Sequence, residues 1–158
     1  MSKRFNLYLG KAGQLHTMSE FLARGWNVAT PEVDVGDDLF VVEDKKGLFL
    51  RVQVKTAHAT ERTDSYSVQF NVPMLQLEEP ISPEIYYIFL VRKQSKWSDM
   101  LIIPRETLLA FFKNHHVGTV ANDSLLLYFS FKEQTISCSK IDFTAFLNNF
   151  EDFPTIEH

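Results

Sequence analysis

The spacing of apolar residues changes several times along the chain, and each change marks an element. From Lys11 to Arg24, Leu15, Met18 and Leu22 recur at helical spacing with Phe21 beside them, and Gly25 supplies a stop. This predicts a first helix. Trp26–Thr30 reads as a short strand ended by Pro31. Leu39–Val42 and Leu48–Thr56 read as an antiparallel pair closed by a Lys45-Lys46-Gly47 turn. Tyr66, Val68 and Phe70 alternate with Ser67, Gln69 and Asn71, the pattern of a half-buried strand. Ile85–Val91 is apolar on both faces, which places it centrally in a sheet. Leu101–Ile103 is a short strand, and Pro104 opens a helix through Leu108, Leu109, Phe111 and Phe112 that stops before Gly118. Leu125–Phe131 and Thr135–Ser139 form a second hairpin, and Asp142 caps a final helix through Phe146 and Leu147. The order of helices and strands is that of a mixed α/β or α+β domain around a central sheet.

One strand does not read as packing alone. In RVQVKTA, Arg51–Ala57, Val52 and Val54 suit a buried face, yet Arg51, Gln53 and Lys55 share the other. A hairpin closing about Lys46 sets Asp38 opposite Val54, near the level of residues 53–55. One carboxylate, one amide and one ammonium therefore gather at one end of the pair. On a helical projection Gln14 lies at the edge of the apolar stripe, near Met18 and Phe21, with Glu20 on the solvent side. A polar group on that edge needs a partner. Such a set suits metal-assisted hydrolysis of a phosphodiester. Carboxylate and carbonyl oxygens hold a divalent cation, and a lysine stabilises the charge that develops on the phosphate.

These residues form an ordered pattern: G-x-x-G-Q on the first helix (Gly10–Gln14), P-x-x-D-x-G-x-D before an apolar run (Pro31–Asp38), then Q-V-K-T (Gln53–Thr56). The pattern resembles the PD-(D/E)XK nuclease superfamily, in the form where Q-x-K replaces E-x-K, and covers roughly residues 10–57, about a third of the chain. The resemblance implies a single restriction-endonuclease-like domain over residues 1–158, of class α/β (α+β), with a central mixed β-sheet flanked by helices. It implies Mg²⁺-dependent (or Mn²⁺-dependent) hydrolysis of DNA. Asp38 and Gln53 would hold the metal, and Lys55 would act on the attacking water or the transition state. Gln14 takes the helix position where relatives often carry Glu, and Asp34 and Asp37 are possible helpers. Relatives that cut both strands are often dimers, so a homodimer is compatible. Two of the four positions carry an amide where relatives carry a carboxylate, and each lost charge weakens divalent affinity. That sustains an alternative: a catalytically inactive nucleic-acid-binding or protein-interaction module on the same fold.

The neighbours of this set have simpler readings beside functional ones. Arg51 either touches a phosphate or pairs across the hairpin with Glu43 or Asp44. Thr56 and His58 either line the cleft or are exposed. His16, His115 and His116 suit surface or helix-end positions. Cys138 suits a packed strand, and the aromatic run at 110–112 suits the core.

The totals narrow this picture without deciding it. A length of 158 residues suffices for one domain with a sizeable core, and 45% hydrophobic with 23% charged residues is an ordinary globular composition. A single cysteine excludes an intrachain disulfide and a thiolate metal site, and fits a reducing, cytoplasmic setting. The N-terminus has no apolar core of a signal peptide, and Ile85–Val91 is too short to cross a bilayer, so no membrane association is expected. The net charge of −4 argues against avid non-specific binding to nucleic acid. The charge is uneven, however: residues 1–62 are net +1 and residues 63–158 net −5. The half that holds RVQVKTA is the half that tolerates a local basic patch.

Overall fold

A computed structural model describes residues 2–33 and 35–158. Asp34, one of the possible helpers, lies outside the described residues. In chain order the elements are α1 (Lys3–Ala23), β1 (Asn27–Ala29), β2 (Leu39–Glu43), β3 (Leu48–His58), β4 (Thr60–Glu61), β5 (Ser65–Pro73), α2 (Met74–Glu78), β6 (Ile85–Lys93) and β7 (Lys96–Pro104). Then follow α3 (Arg105–His115), β8 (Thr119–Ala121), β9 (Ser124–Lys132), β10 (Thr135–Cys138) and β11 (Ile141–Asp142). The class is mixed α+β, with a central mixed sheet flanked by helices.

The central sheet has the order β1-β2-β3-β6-β7. Only β3 and β6 run parallel; the other pairs are antiparallel. β6 is buried on both faces, as its unbroken apolar run requires. Ile88 and Leu90 point to one side, where Phe21 of α1, Val52, Val54 and Phe153 complete a cluster. Tyr87, Phe89 and Val91 point to the other, against Leu77 of α2, Leu108 of α3 and a second sheet. That second sheet, β11-β10-β9-β5-β4 with β8 on β9, is antiparallel throughout. β5 alternates as the sequence indicates, with Val68, Phe70 and Val72 inward and Gln69 and Asn71 outward. Much of the Phe content packs here: the Phe70 and Phe129 rings lie 5.0 and 5.7 Å from Phe89. Cys138 is buried in the same cluster.

Three expectations are corrected. First, α1 begins at Lys3, capped by the Ser2 hydroxyl, which accepts from the Phe5 N–H. It buries Gly13, Thr17 and Phe21, whereas Leu15 and Leu22 are 55% and 54% exposed. Close approach decides this face, because a Cβ on Gly13 would lie 2.6 Å from Thr56 Oγ1 and 2.8 Å from Thr56 Cγ2. Glycine lets the helix settle on β3 where bulkier residues would hold it off. Second, β7 runs from Lys96, well before Leu101, because it pairs with β6 along most of its length. Third, Asp142 does cap a turn, accepting from the Thr144 N–H and hydroxyl, but only Thr144–Phe146 is helical, and as a 3-10 turn. Leu147 leaves it extended and bridges to Leu101. The remaining tail returns to α1: Phe153 packs on Phe21, and the Trp26 indole N–H donates to the Pro154 carbonyl at 2.8 Å. Among the described residues, no helix is long and apolar enough to cross a membrane.

Two predictions follow from the packing. Gly13→Ala is expected to destabilise the fold by about 1–3 kcal/mol, since the branched Thr56 side chain or α1 must give way. Thermal unfolding of the variant should fall by several degrees; an unchanged midpoint would contradict the close approach. Burial pushes the Cys138 thiol above its ordinary pKa, so a thiol reagent at neutral pH should label it only when the chain unfolds. Labelling of the native protein at the rate of a free thiol would contradict its placement.

Candidate metal-binding and catalytic site

The hairpin register decides which groups can meet. Leu39 pairs with Val52 and Phe40 with Arg51, so Asp38 comes level with Gln53, one residue away from the Val54 position a turn centred on Lys46 implies. In a strand, a slip of one residue exchanges the two faces. The observed register therefore puts the Asp38 side chain on the polar face with Arg51, Gln53 and Lys55. Glu43 helps set it. Its buried carboxylate accepts from the Lys45 and Lys46 N–H groups at 3.3 and 3.0 Å and so holds the turn.

At the open end of the hairpin, the Asp38 N–H donates to the Val52 carbonyl at 2.9 Å. Its carboxylate oxygen Oδ2 accepts from the Val54 N–H at 2.7 Å and from the Gln53 side-chain Nε2 at 2.5 Å. Val54 N–H is the next ladder donor on that side of β3, so the carboxylate stands where a strand carbonyl would otherwise be. Charge-assisted bonds of this kind are the strong ones. Gln53 is 8% exposed, and its amide meets Asp38 through Nε2 and Gln76 through Oε1.

Arg51 meets neither Glu43 nor Asp44. Its Nε and Nη2 both donate to Oδ2 of Asp37. The Asp37 side chain is 1% exposed and that of Arg51 13%. Asp37 is thus neutralised by a neighbour on the same strand face, and its Oδ1 is buried with no hydrogen-bond partner among the described residues. Arg51 was open to this because Asp37, next to Asp38, reaches the same strand end once the register shifts.

Gln14 arrives from the opposite face of the sheet. Its Nε2 donates to the backbone carbonyl of Asp38 at 2.8 Å, and its Oε1 accepts from Lys11 Nζ at 2.8 Å. It buttresses the backbone of Asp38 and does not touch the carboxylate. Lys55, two residues beyond Gln53, lines two cavities. One, of about 340 Å³, lies beneath α2 and is shared with Gln53, Pro73, Leu75 and Gln76. The other, of about 580 Å³, lies toward α1 and is shared with Asn6, Thr56, His58, Gln69 and Asn71. Thr56 and His58 therefore line a cleft. Thr56 Oγ1 and His58 Nε2 are both buried without a partner among the described residues.

Sequence reasoning missed Gln76. Its Nε2 donates to the Gly36 carbonyl at 2.5 Å and to Gln53 Oε1 at 3.2 Å, and its Oε1 accepts from the Tyr87 hydroxyl at 3.3 Å. Gly36 has φ +104°, and a Cβ there would lie 2.6 Å from Gln76 Nε2. The glycine thus serves both a left-handed turn and the approach of this amide. Gln76 sits on a one-turn helix with no periodic signal. The available signal was the glycine itself, between Val35 and Asp37, asking for a close neighbour.

A divalent cation at this site would be held by Asp38 and Gln53, at low affinity. Asp38 supplies a carboxylate, and Gln53 an amide oxygen once its side chain turns over; the arrangement otherwise presents N–H groups to Asp38. Among the described residues no three acidic, His or Cys side chains cluster as a ready-made site. Hard cations take neutral amide oxygens, at lower affinity than carboxylates.

No protein-family model matches the chain, and no curated protein sequence matches it. Among solved structures, the chain is similar to a bacterial homing endonuclease, I-Ssp6803I, at 22% identity and a TM-score of 0.43, over 66% of this chain and 67% of that one. At that score the likeness carries no argument about this chain's activity.

The buried pair yields a prediction. Arg51→Met leaves the Asp37 carboxylate buried and unpaired, and is expected to cost about 3–5 kcal/mol in urea unfolding. The double variant Arg51→Met/Asp37→Asn should recover most of that loss. A single-variant cost below about 1 kcal/mol, the size of a surface pair, would contradict the placement.

Proposed function

We propose that this chain is a divalent-metal-dependent nuclease acting on DNA. The observation that carries the reading is the convergence of separated sequence motifs. Asp38 and Gln53 are in contact, Gln14 holds the Asp38 backbone, and Lys55 opens on the adjoining clefts.

Asp38 and the Gln53 amide oxygen would hold Mg²⁺ or Mn²⁺, which when bound offsets phosphate charge and acidifies water. The protein does the rest. Gln14 and the β2–β3 ladder fix the Asp38 backbone, so the carboxylate needs no reorganisation during reaction. Arg51 removes Asp37 as a competing negative charge close to the approaching phosphate. The Lys55 backbone lies about 7 Å along the strand from that of Gln53, and its ammonium would stabilise the negative charge that builds on the phosphate oxygens as water adds to phosphorus and an ester P–O bond breaks.

A second reading is a binding protein on the same fold that no longer cuts. The observation favouring it is that Asp38 Oδ2 already accepts two N–H donors while Asp37 is neutralised. In that reading Lys55 and Lys11 would supply phosphate attraction without a metal.

A cleavage assay separates the two. With Mg²⁺ or Mn²⁺ and single-stranded, duplex or branched DNA, the nuclease reading expects products, and Lys55→Ala is expected to slow the reaction about 100-fold or more. No cleavage above the Lys55→Ala control, together with salt-dependent DNA binding, would select the binding protein.

A further inference from the structure

One directional chain of hydrogen bonds runs from the core to the site. It begins at Tyr87, which is fully buried on β6 and pairs in register with Gln53 of β3. Burial, the largest influence, raises the Tyr87 phenol well above its ordinary range, partly opposed by Arg105. A neutral phenol carries one O–H donor. It donates to Gln76 Oε1. That leaves both N–H bonds of Gln76 for acceptors, and they meet the Gly36 carbonyl and Gln53 Oε1. With its oxygen taken, Gln53 can only turn its N–H₂ toward Asp38. Every link is donor to acceptor, and the chain ends on a carboxylate.

We propose that Gln76 is a positioning residue that fixes which end of the Gln53 amide faces Asp38, so that a divalent cation binds at Asp38 only when the Gln53 and Gln76 amides turn over together. The proposal rests on the metal-dependent reading above. Its logic is that of inventory: a cation needs an oxygen from Gln53, and an amide has one oxygen and one N–H₂. If Gln53 alone turned, its N–H₂ would face that of Gln76, donor against donor. If both turn, Gln53 donates to Gln76 Oε1 and Gln76 donates to the Tyr87 oxygen. The Gly36 carbonyl then loses its Gln76 donor, and the Tyr87 proton must find another acceptor. The relay thus opposes cation entry by those losses, and it couples the metal position to the Gly36 turn just before Asp38. The polarity of this partly buried amide chain is decided as a unit, because each half-turned state leaves like groups facing each other.

The test uses the full chain labelled with ¹⁵N at glutamine, with two readouts: the Gln53 side-chain amide resonances in cation-free protein, and Mn²⁺ affinity by calorimetry. Gln76→Glu supplies acceptors only, so it should turn Gln53 before any cation is present. Its Gln53 resonances should shift, and Mn²⁺ should bind about tenfold tighter. Tyr87→Phe removes the first donor without adding charge. It should shift the same resonances part of the way and tighten Mn²⁺ by a smaller factor. Unchanged Gln53 resonances in both variants would overturn the proposal. So would tighter Mn²⁺ binding in Gln76→Glu with no effect of Tyr87→Phe, since added charge alone would then explain it. If no form binds Mn²⁺ yet the resonances shift, the positioning role stands and the metal-dependent reading falls. If Gln76→Glu does not fold, Tyr87→Phe carries both readouts.

Discussion

The contact on which this structure turns is the one between the Asp38 carboxylate and the two N–H groups of Gln53 and Val54. It ends the β2–β3 ladder and pins its register. It also gathers the polar face of β3 at the mouth of two clefts. Were the pairing one residue different, Asp38 would project toward α1, among Val52, Val54 and Phe21. A carboxylate there would carry a heavy desolvation cost, so the apolar cluster beneath the sheet enforces the polar arrangement above it.

The surroundings show how a fold spends rigidity around such a contact. On one side Gly13 lets α1 lie close enough for Gln14 to reach the Asp38 carbonyl. On the other, Gly36 admits Gln76. Arg105, nearly fully buried, ties the same region together by donating to both Glu84 carboxylate oxygens and to the Leu77 carbonyl of α2. α2 is a single turn that would not persist alone. It holds Gln76 in place because Leu77 is buried in the core and Arg105 clamps its backbone.

Much of this was legible in the sequence, for reasons that can be named. The β2–β3 hairpin, the alternation of β5 and the two-sided burial of β6 follow from local period alone. Strand parity puts Gln53 and Lys55 on one face, but counting from the turn sets Asp38 opposite Val54; only the observed register brings it level with Gln53. What was not legible depends on tertiary approach. The buried face of α1 is chosen by a glycine, and no apolar scale registers that. The partner of Arg51 depends on a register shift of one residue, finer than a turn of three polar or glycine residues can specify. Gln76 acquires its importance from Tyr87 and Gly36, 11 and 40 residues away in sequence. The final helix was expected through Phe146 and Leu147, whereas the segment makes one short turn from which Phe146 packs on Phe111 and Phe143.

The proposed cation site, Asp38 with Gln53, requires the Gln53 amide to be reversed for use. A crystal of the full chain soaked in Mn²⁺ tests that most directly. The account predicts an anomalous peak at coordination distance, roughly 2.0–2.3 Å, from an Asp38 carboxylate oxygen and from Gln53 Oε1, with Gln76 turned to accept from Gln53. A map with no peak at Asp38, and with Gln53 Nε2 still donating to its carboxylate, would contradict it.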